Sequence, residues 1–229
     1  MDTVFFVFEM IGVIAFALSG AMLGIKKEMD VLGVCVMGAV TAVGGGITRD
    51  LLLGETPPTF LIDPTATAVA VCTSILVFLP ISQRLLQKNT RRLYDTLMLI
   101  ADSIGLGIFA VMGVNITLQA KPTASLFMCV LLGVITGVGG GVLRDVLSRS
   151  KPYIFVKHFY ACAAIIGALL CAVLHPILGE LPSSIIGLVT IVVLRLLAAK
   201  FHWKLPKYIQ SDPKNDSESH GAGKPTQSQ

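Results

Sequence analysis

The sequence predicts an all-α membrane protein: seven transmembrane helices, forming two inverted three-helix repeats plus a seventh helix, with the N-terminus outside and the C-terminus inside. Three observations carry this. The 229 residues are 54% hydrophobic and only 14% charged, where a soluble domain carries roughly 25% charged residues. The apolar residues fall into seven blocks, each close to the roughly 20 residues that cross a bilayer. And one stretch occurs twice. Gly38, Thr41, Val43, Gly44, Gly45, Gly46, Arg49 and Asp50 recur 95 positions later as Gly133, Thr136, Val138, Gly139, Gly140, Gly141, Arg144 and Asp145.

The blocks lie near 4–25, 31–53, 64–83, 94–118, 125–147, 156–175 and 183–199. The first differs from a secretory signal in its acidic start, Asp2, and in Glu9 within the apolar run, so it reads as a retained helix. It also has a counterpart. Ile11-Gly12, Phe16-Ala17 and Gly20 recur as Ile104-Gly105, Phe109-Ala110 and Gly113, which sets Glu9 against Asp102. The second and fifth blocks hold the two glycine motifs. The third opens at Asp63-Pro64, read as a cap followed by a first-turn proline. Asp95 reads as a charge near the start of the fourth. The sixth opens around His158 and Tyr160, the tyrosine read as an interfacial anchor. The seventh carries Arg195, expected to snorkel to the inner surface. The resulting organisation is a first repeat over 4–90, a second over 94–176, a seventh helix over 183–204 and a polar, disordered tail over 205–229.

Lysine and arginine set the orientation. Lys26 and Lys27, Arg84 to Arg92, Arg149 to Lys157, and Lys200 to Lys207 all fall on one side if the N-terminus is outside. The opposite side holds Lys121, and Arg49 within the motif. An odd number of helices per repeat then inverts the second copy. Such inverted pairs are typical of transporters, with the site at the repeat interface near the midplane.

Three successive glycines weaken a helix by about 1 kcal/mol each relative to alanine, so Gly44–Gly46 and Gly139–Gly141 are candidate breaks. A break would expose carbonyls to a cation and amides to a carboxylate. The alternative is close helix packing over glycine faces. Arg49 and Arg144 would contact a substrate carboxylate or neutralise Asp50 and Asp145, since charges at membrane depth default to functional candidates. Glu9 and Asp102, matched acids on the first and fourth helices, are candidate ion or proton sites, or interhelical hydrogen-bond partners. Cys35, Cys72, Cys129, Cys162 and Cys171 form no C-x-x-C pair and read as small core hydrophobes. No P-loop, metal-ligand spacing or nucleophile with a nearby base is present, so the sequence supports neither catalysis nor a cofactor. The net charge of +4 follows topology and is no nucleic-acid signal.

The doubled Gly-Gly-Gly-x-x-Arg-Asp, the run Ala15-Phe16-Ala17-Leu18-Ser19-Gly20-Ala21 and Asp102-Ser103-Ile104-Gly105-Leu106 resemble a bacterial inner-membrane family carrying two glycine-transporter domains. That family is similar to the trimeric intracellular cation channels. The resemblance covers about residues 4–204. It implies a homotrimer with one pore per subunit, lined by bent second and fifth helices at Gly44–Gly46 and Gly139–Gly141. The family often has a glutamate two residues before the tyrosine that opens the sixth helix; here that position is His158. Two activities follow as expectations: transport of glycine or another small amino acid, and, as the alternative, conduction of a monovalent cation such as potassium. A non-transporting membrane scaffold is the third.

Overall fold

The computed structural model describes residues 3–79, 91–156 and 159–201. These form helices α1 (Thr3–Lys26), α2 (Val31–Leu53), α3 (Thr59–Ile62), α4 (Thr65–Phe78), α5 (Arg91–Ala120), α6 (Leu126–Leu147), α7 (Tyr153–Val156), α8 (Tyr160–Leu178) and α9 (Glu180–Lys200). No strand occurs among the described residues. Six helices (α1, α2, α5, α6, α8 and α9) are long and apolar enough to cross a membrane. α4, with 14 residues, is shorter, and residues 80–83 of the predicted third span lie outside the described residues. Bulky apolar side chains such as Leu32, Phe127 and Ile177 face outward, as a lipid-facing surface requires.

The two copies fold alike down to their caps. Asp30 and Ser125, equivalent by the repeat, accept from the amides of Gly33 and Met128 at the starts of α2 and α6. Thr41 and Thr136 each donate to the carbonyl four residues back, Met37 and Leu132, both at 2.6 Å. α2 ends on Gly54 in the left-handed region, with the Glu55 amide donating to the Asp50 carbonyl. Arg149 takes the same place after α6, at φ 51°, with Ser150 donating to the Asp145 carbonyl. A side chain in that region costs roughly 1 kcal/mol, so Arg149→Gly is expected to stabilise the protein by about that amount in a denaturant melt.

The halves meet about a local two-fold axis. A Cβ on Gly12 would touch Ile108 and Phe109, and one on Gly105 would run into Phe16. These contacts are reciprocal and run in opposite chain directions, so α1 and α5 are antiparallel. The rings of Phe16 and Phe109, equivalent residues, lie 5.3 Å apart across the axis. α2 and α6 cross in the same reciprocal manner: a Cβ on Gly45 would strike the Thr136 carbonyl, and one on Gly140 the Thr41 carbonyl. Within each half, a Cβ on Gly20 would lie 3.0 Å from Gly38, and one on Gly113 2.9 Å from Gly133.

α2 and α6 are continuous through their three glycines, which corrects the expectation of a break. The backbone hydrogen bonds are kept because the missing Cβ atoms let the partner helix approach its backbone closely. α9 packs on α8 through Gly167 and Gly187, whose added Cβ atoms would each meet the other's carbonyl, at 2.7 and 2.8 Å. It is the element without a counterpart in the repeat.

Candidate functional site

The motif arginine and aspartate form one unit in both copies. Arg49 Nε donates to Asp50 Oδ1 at 2.9 Å, and Arg144 Nε to Asp145 Oδ1 at the same distance. The second carboxylate oxygen holds the short helix that follows. Asp50 Oδ2 accepts from the Thr59 amide at the start of α3, and Asp145 Oδ2 from the Tyr153 amide at the start of α7, at 2.9 and 2.8 Å. Helix starts leave such amides without an intrahelical partner. The aspartates are thus structural ties as well as counter-ions. Nothing in the sequence marks α3 and α7, because a helix of four residues is too short to carry a periodic signal.

Because α2 and α6 cross antiparallel, the two units point to opposite ends of the bundle, and the ends differ. At the first-motif end lies a cavity of about 530 Å³. Glu9 from α1, Arg49 and Asp50 from α2, Asp63 before α4 and Glu180 from α9 reach it. Four carboxylates therefore face one base, and that base is already paired with Asp50. The Glu9 carboxylate accepts no hydrogen bond among the described residues. Glu180 accepts from Gln119 at 2.9 Å. Asp63 accepts from the Thr65 amide at 2.9 Å, and the hydrogen bonds from Thr65 hold its carboxyl below the usual range. The predicted helix start shifts by one residue: Pro64 takes the capping position instead of the first helical one, α4 begins at Thr65, and Asp63 lies just before it.

The second-motif end is sealed. Asp102, the counterpart of Glu9, accepts from Arg144 Nη1 at 2.8 Å and from Arg195 Nη2 at 3.1 Å. Ser19 also accepts from Arg144. Tyr153 stacks against the Arg144 guanidinium at 5.0 Å, and Tyr160 against that of Arg195 at 4.5 Å. Two arginines and two aspartates balance in charge, and all four are buried. Donors remain in excess: Arg144 Nη2, Tyr160 OH and Arg195 Nε have no partner among the described residues.

Two expectations are corrected here. Arg195 does not snorkel; α9 carries it inward to Asp102, 3% exposed. Tyr160 is no interfacial anchor, being 2% exposed beneath Arg195. His158 lies outside the described residues, as does the 205–229 tail. Among the glycines, Gly45 and Gly140 form the crossing, Gly44 packs on Leu143, Gly139 lies beside Gly45, and Gly141 lies beside Tyr160. Gly46 lines the cavity. All five cysteines are free, with Cys129 and Cys171 buried as expected; Cys72 instead faces outward.

The doubled helix that ends in an Arg-Asp unit falls once in each of the two stretches, residues 6–81 and 99–176, matched by a profile described as glycine transporter. The chain belongs to the glycine transporter family. Within it, the chain is 39% identical over 203 residues to the UPF0126 inner membrane protein YadS of Escherichia coli (strain K12), covering 87% of this chain and 94% of the relative. The family fold is that of solved channels. A structure described as the structural basis for conductance through TRIC cation channels matches with 38% identity and TM-score 0.77, over 90% of this chain and 98% of that one. The TRIC trimeric intracellular cation channel orthologue from Rhodobacter sphaeroides matches with 29% identity and TM-score 0.79, over 88% and 100%. Family and fold are those of transport proteins rather than enzymes.

Proposed function

We propose that this glycine-transporter-family protein is a multi-pass protein of a bacterial inner membrane that passes monovalent cations. The route runs from the Glu9–Arg49 cavity, beside the α2–α6 crossing, to the Asp102–Arg144–Arg195 cluster. The observation that carries the reading is the charge of the cavity: four carboxylates to one paired arginine, in a fold shared with TRIC cation channels. A cleft lined by one sign of charge between low-dielectric walls concentrates ions of the opposite sign. With the N-terminus outside, the cavity is the outer entrance. The neutral cluster at the other end is the closed position. As in the channels it resembles, the protein works as a homotrimer, each subunit with its own route.

A second reading, transport of glycine or another small amino acid, draws on the proximity of opposite charges. Arg49 offers a guanidinium and Glu9 a carboxylate in one cavity, which suits a zwitterion. One liposome preparation separates the two: potassium current and labelled glycine uptake are measured side by side. The expected result is a cation-selective current that loses part of its cation-over-chloride preference in Glu9→Gln and Asp63→Asn. Saturable glycine uptake without current would overturn the cation reading, and neither signal would favour a scaffold.

A further inference from the structure

We infer that the cavity at the first-motif end is a binding site for an organic ammonium ion, beyond serving as an entrance for inorganic ones. The inference rests on the cation reading of that cavity and names the kind of cation it retains. Its first support is the arrangement of the carboxylates. An inorganic cation is held where several oxygens converge and replace its hydration shell. Glu9, Asp63 and Glu180 share the cavity, yet no three acidic, histidine or cysteine side chains among the described residues converge closely enough to hold a metal ion. They are spread around a space of about 530 Å³, within the range of roughly 300–1,000 Å³ usual for organic ligands.

The walls supply the second support. Between the carboxylates the lining includes the aromatic rings of Phe5, Phe6, Phe60 and Phe109 and the thioethers of Met10 and Met112, beside aliphatic side chains and the polar Thr59, Thr65, Asn115 and Gln119. The aromatic and thioether faces offer an inorganic ion no oxygen in place of water. They cover an alkyl or aryl body, and aromatic faces attract ammonium groups directly. The one base, Arg49, does not oppose this, because its Nε and Nη2 are both committed to Asp50 Oδ1. Glu9, which has no hydrogen-bond partner among the described residues, is the natural counter-ion. Phe60 on α3 is held over the cavity through the tie between the Thr59 amide and Asp50.

The test uses tetraethylammonium and the purified full-length protein, with binding followed by titration calorimetry at constant ionic strength. Saturable binding is expected, weakened about tenfold in Glu9→Gln by loss of one charged partner, and weakened in Phe60→Ala by loss of one aromatic wall. Melting temperatures of the two variants near that of the parent exclude misfolding as the cause. No saturable binding, equal binding by Glu9→Gln, or displacement by equimolar potassium as effective as by tetramethylammonium would each overturn the inference. Potassium current in liposomes is recorded in parallel. Tetraethylammonium binding in a protein that carries no current would overturn the conduction reading and leave the site standing.

Discussion

Gly45→Ala and Gly140→Ala are each expected to leave little folded protein after extraction, whereas Gly46→Ala, one residue away, is expected to melt at or above the parent temperature. The difference lies in what a methyl group meets. At Gly45 it would run into the Thr136 carbonyl, and at Gly140 into the Thr41 carbonyl. Both obstacles are backbone, inside helices whose positions are fixed by Gly20 against Gly38 and Gly113 against Gly133. Neither can swing aside as a side-chain end would. Overpacking of this kind costs roughly 1–3 kcal/mol where a core can adjust, and more where it cannot. At Gly46 the nearest atom to an added Cβ is Arg49 Nη2 at 3.8 Å. Alanine there gains helix propensity of about 1 kcal/mol without a clash. Size-exclusion profiles and melts of the three variants decide the matter. If Gly45→Ala and Gly46→Ala behave alike, the crossing is not the close contact described.

That prediction also shows what the sequence makes legible. Repetition and block length give the six long apolar helices and the equivalence of α2 and α6, because each is a property of a single line of residues. α2 occupies the span expected of it. The function of the glycines is not legible in this way. A run of three weakens a helix wherever it stands, but whether the helix yields depends on what packs against it. Close packing over glycine faces was already the alternative, and the reciprocal Gly45–Thr136 and Gly140–Thr41 contacts decide for it. Arg195 was misread for a related reason. Five residues from the end of α9, it has the length to reach water. Only the fold places a buried carboxylate beside it, on a helix 93 residues earlier.

The repeat further explains why one end is open and the other closed. Glu9 and Asp102 are equivalent by sequence, as are Arg49 and Arg144, so symmetry alone would treat the two ends alike. α9 breaks the symmetry. It brings Arg195 to Asp102 at one end and Glu180 to the cavity at the other. The closed end thus gains a second cation and the open end a further anion, so two of the three charges by which the ends differ come from α9, and Asp63 before α4 supplies the third.

Asp102→Ala is therefore expected to be the most destabilising charge substitution in the chain, far beyond Glu9→Ala at the equivalent position. Asp102 is the shared acceptor for Arg144 and Arg195, all three being buried. Removing one member of a buried ionic group leaves the others desolvated and unmatched, at a cost of roughly 3–5 kcal/mol. The local donor excess sharpens this. Arg144 Nη2, Arg195 Nε and Tyr160 OH already lack acceptors among the described residues, so neither guanidinium has a spare partner to turn to. Glu9 faces a cavity, and its loss removes a partly exposed charge with no hydrogen-bond partner among the described residues, worth less than about 1 kcal/mol. Melts of Asp102→Ala, Glu9→Ala and the double variant Asp102→Ala/Arg195→Leu decide it. The double variant keeps Arg144 paired with Asp145 and is expected to recover much of the stability lost by Asp102→Ala, since it removes the guanidinium left without a counter-ion. Equal losses from Asp102→Ala and Glu9→Ala would contradict the sealed cluster. A double variant no more stable than Asp102→Ala would show that Arg195 acts there as packing rather than as charge.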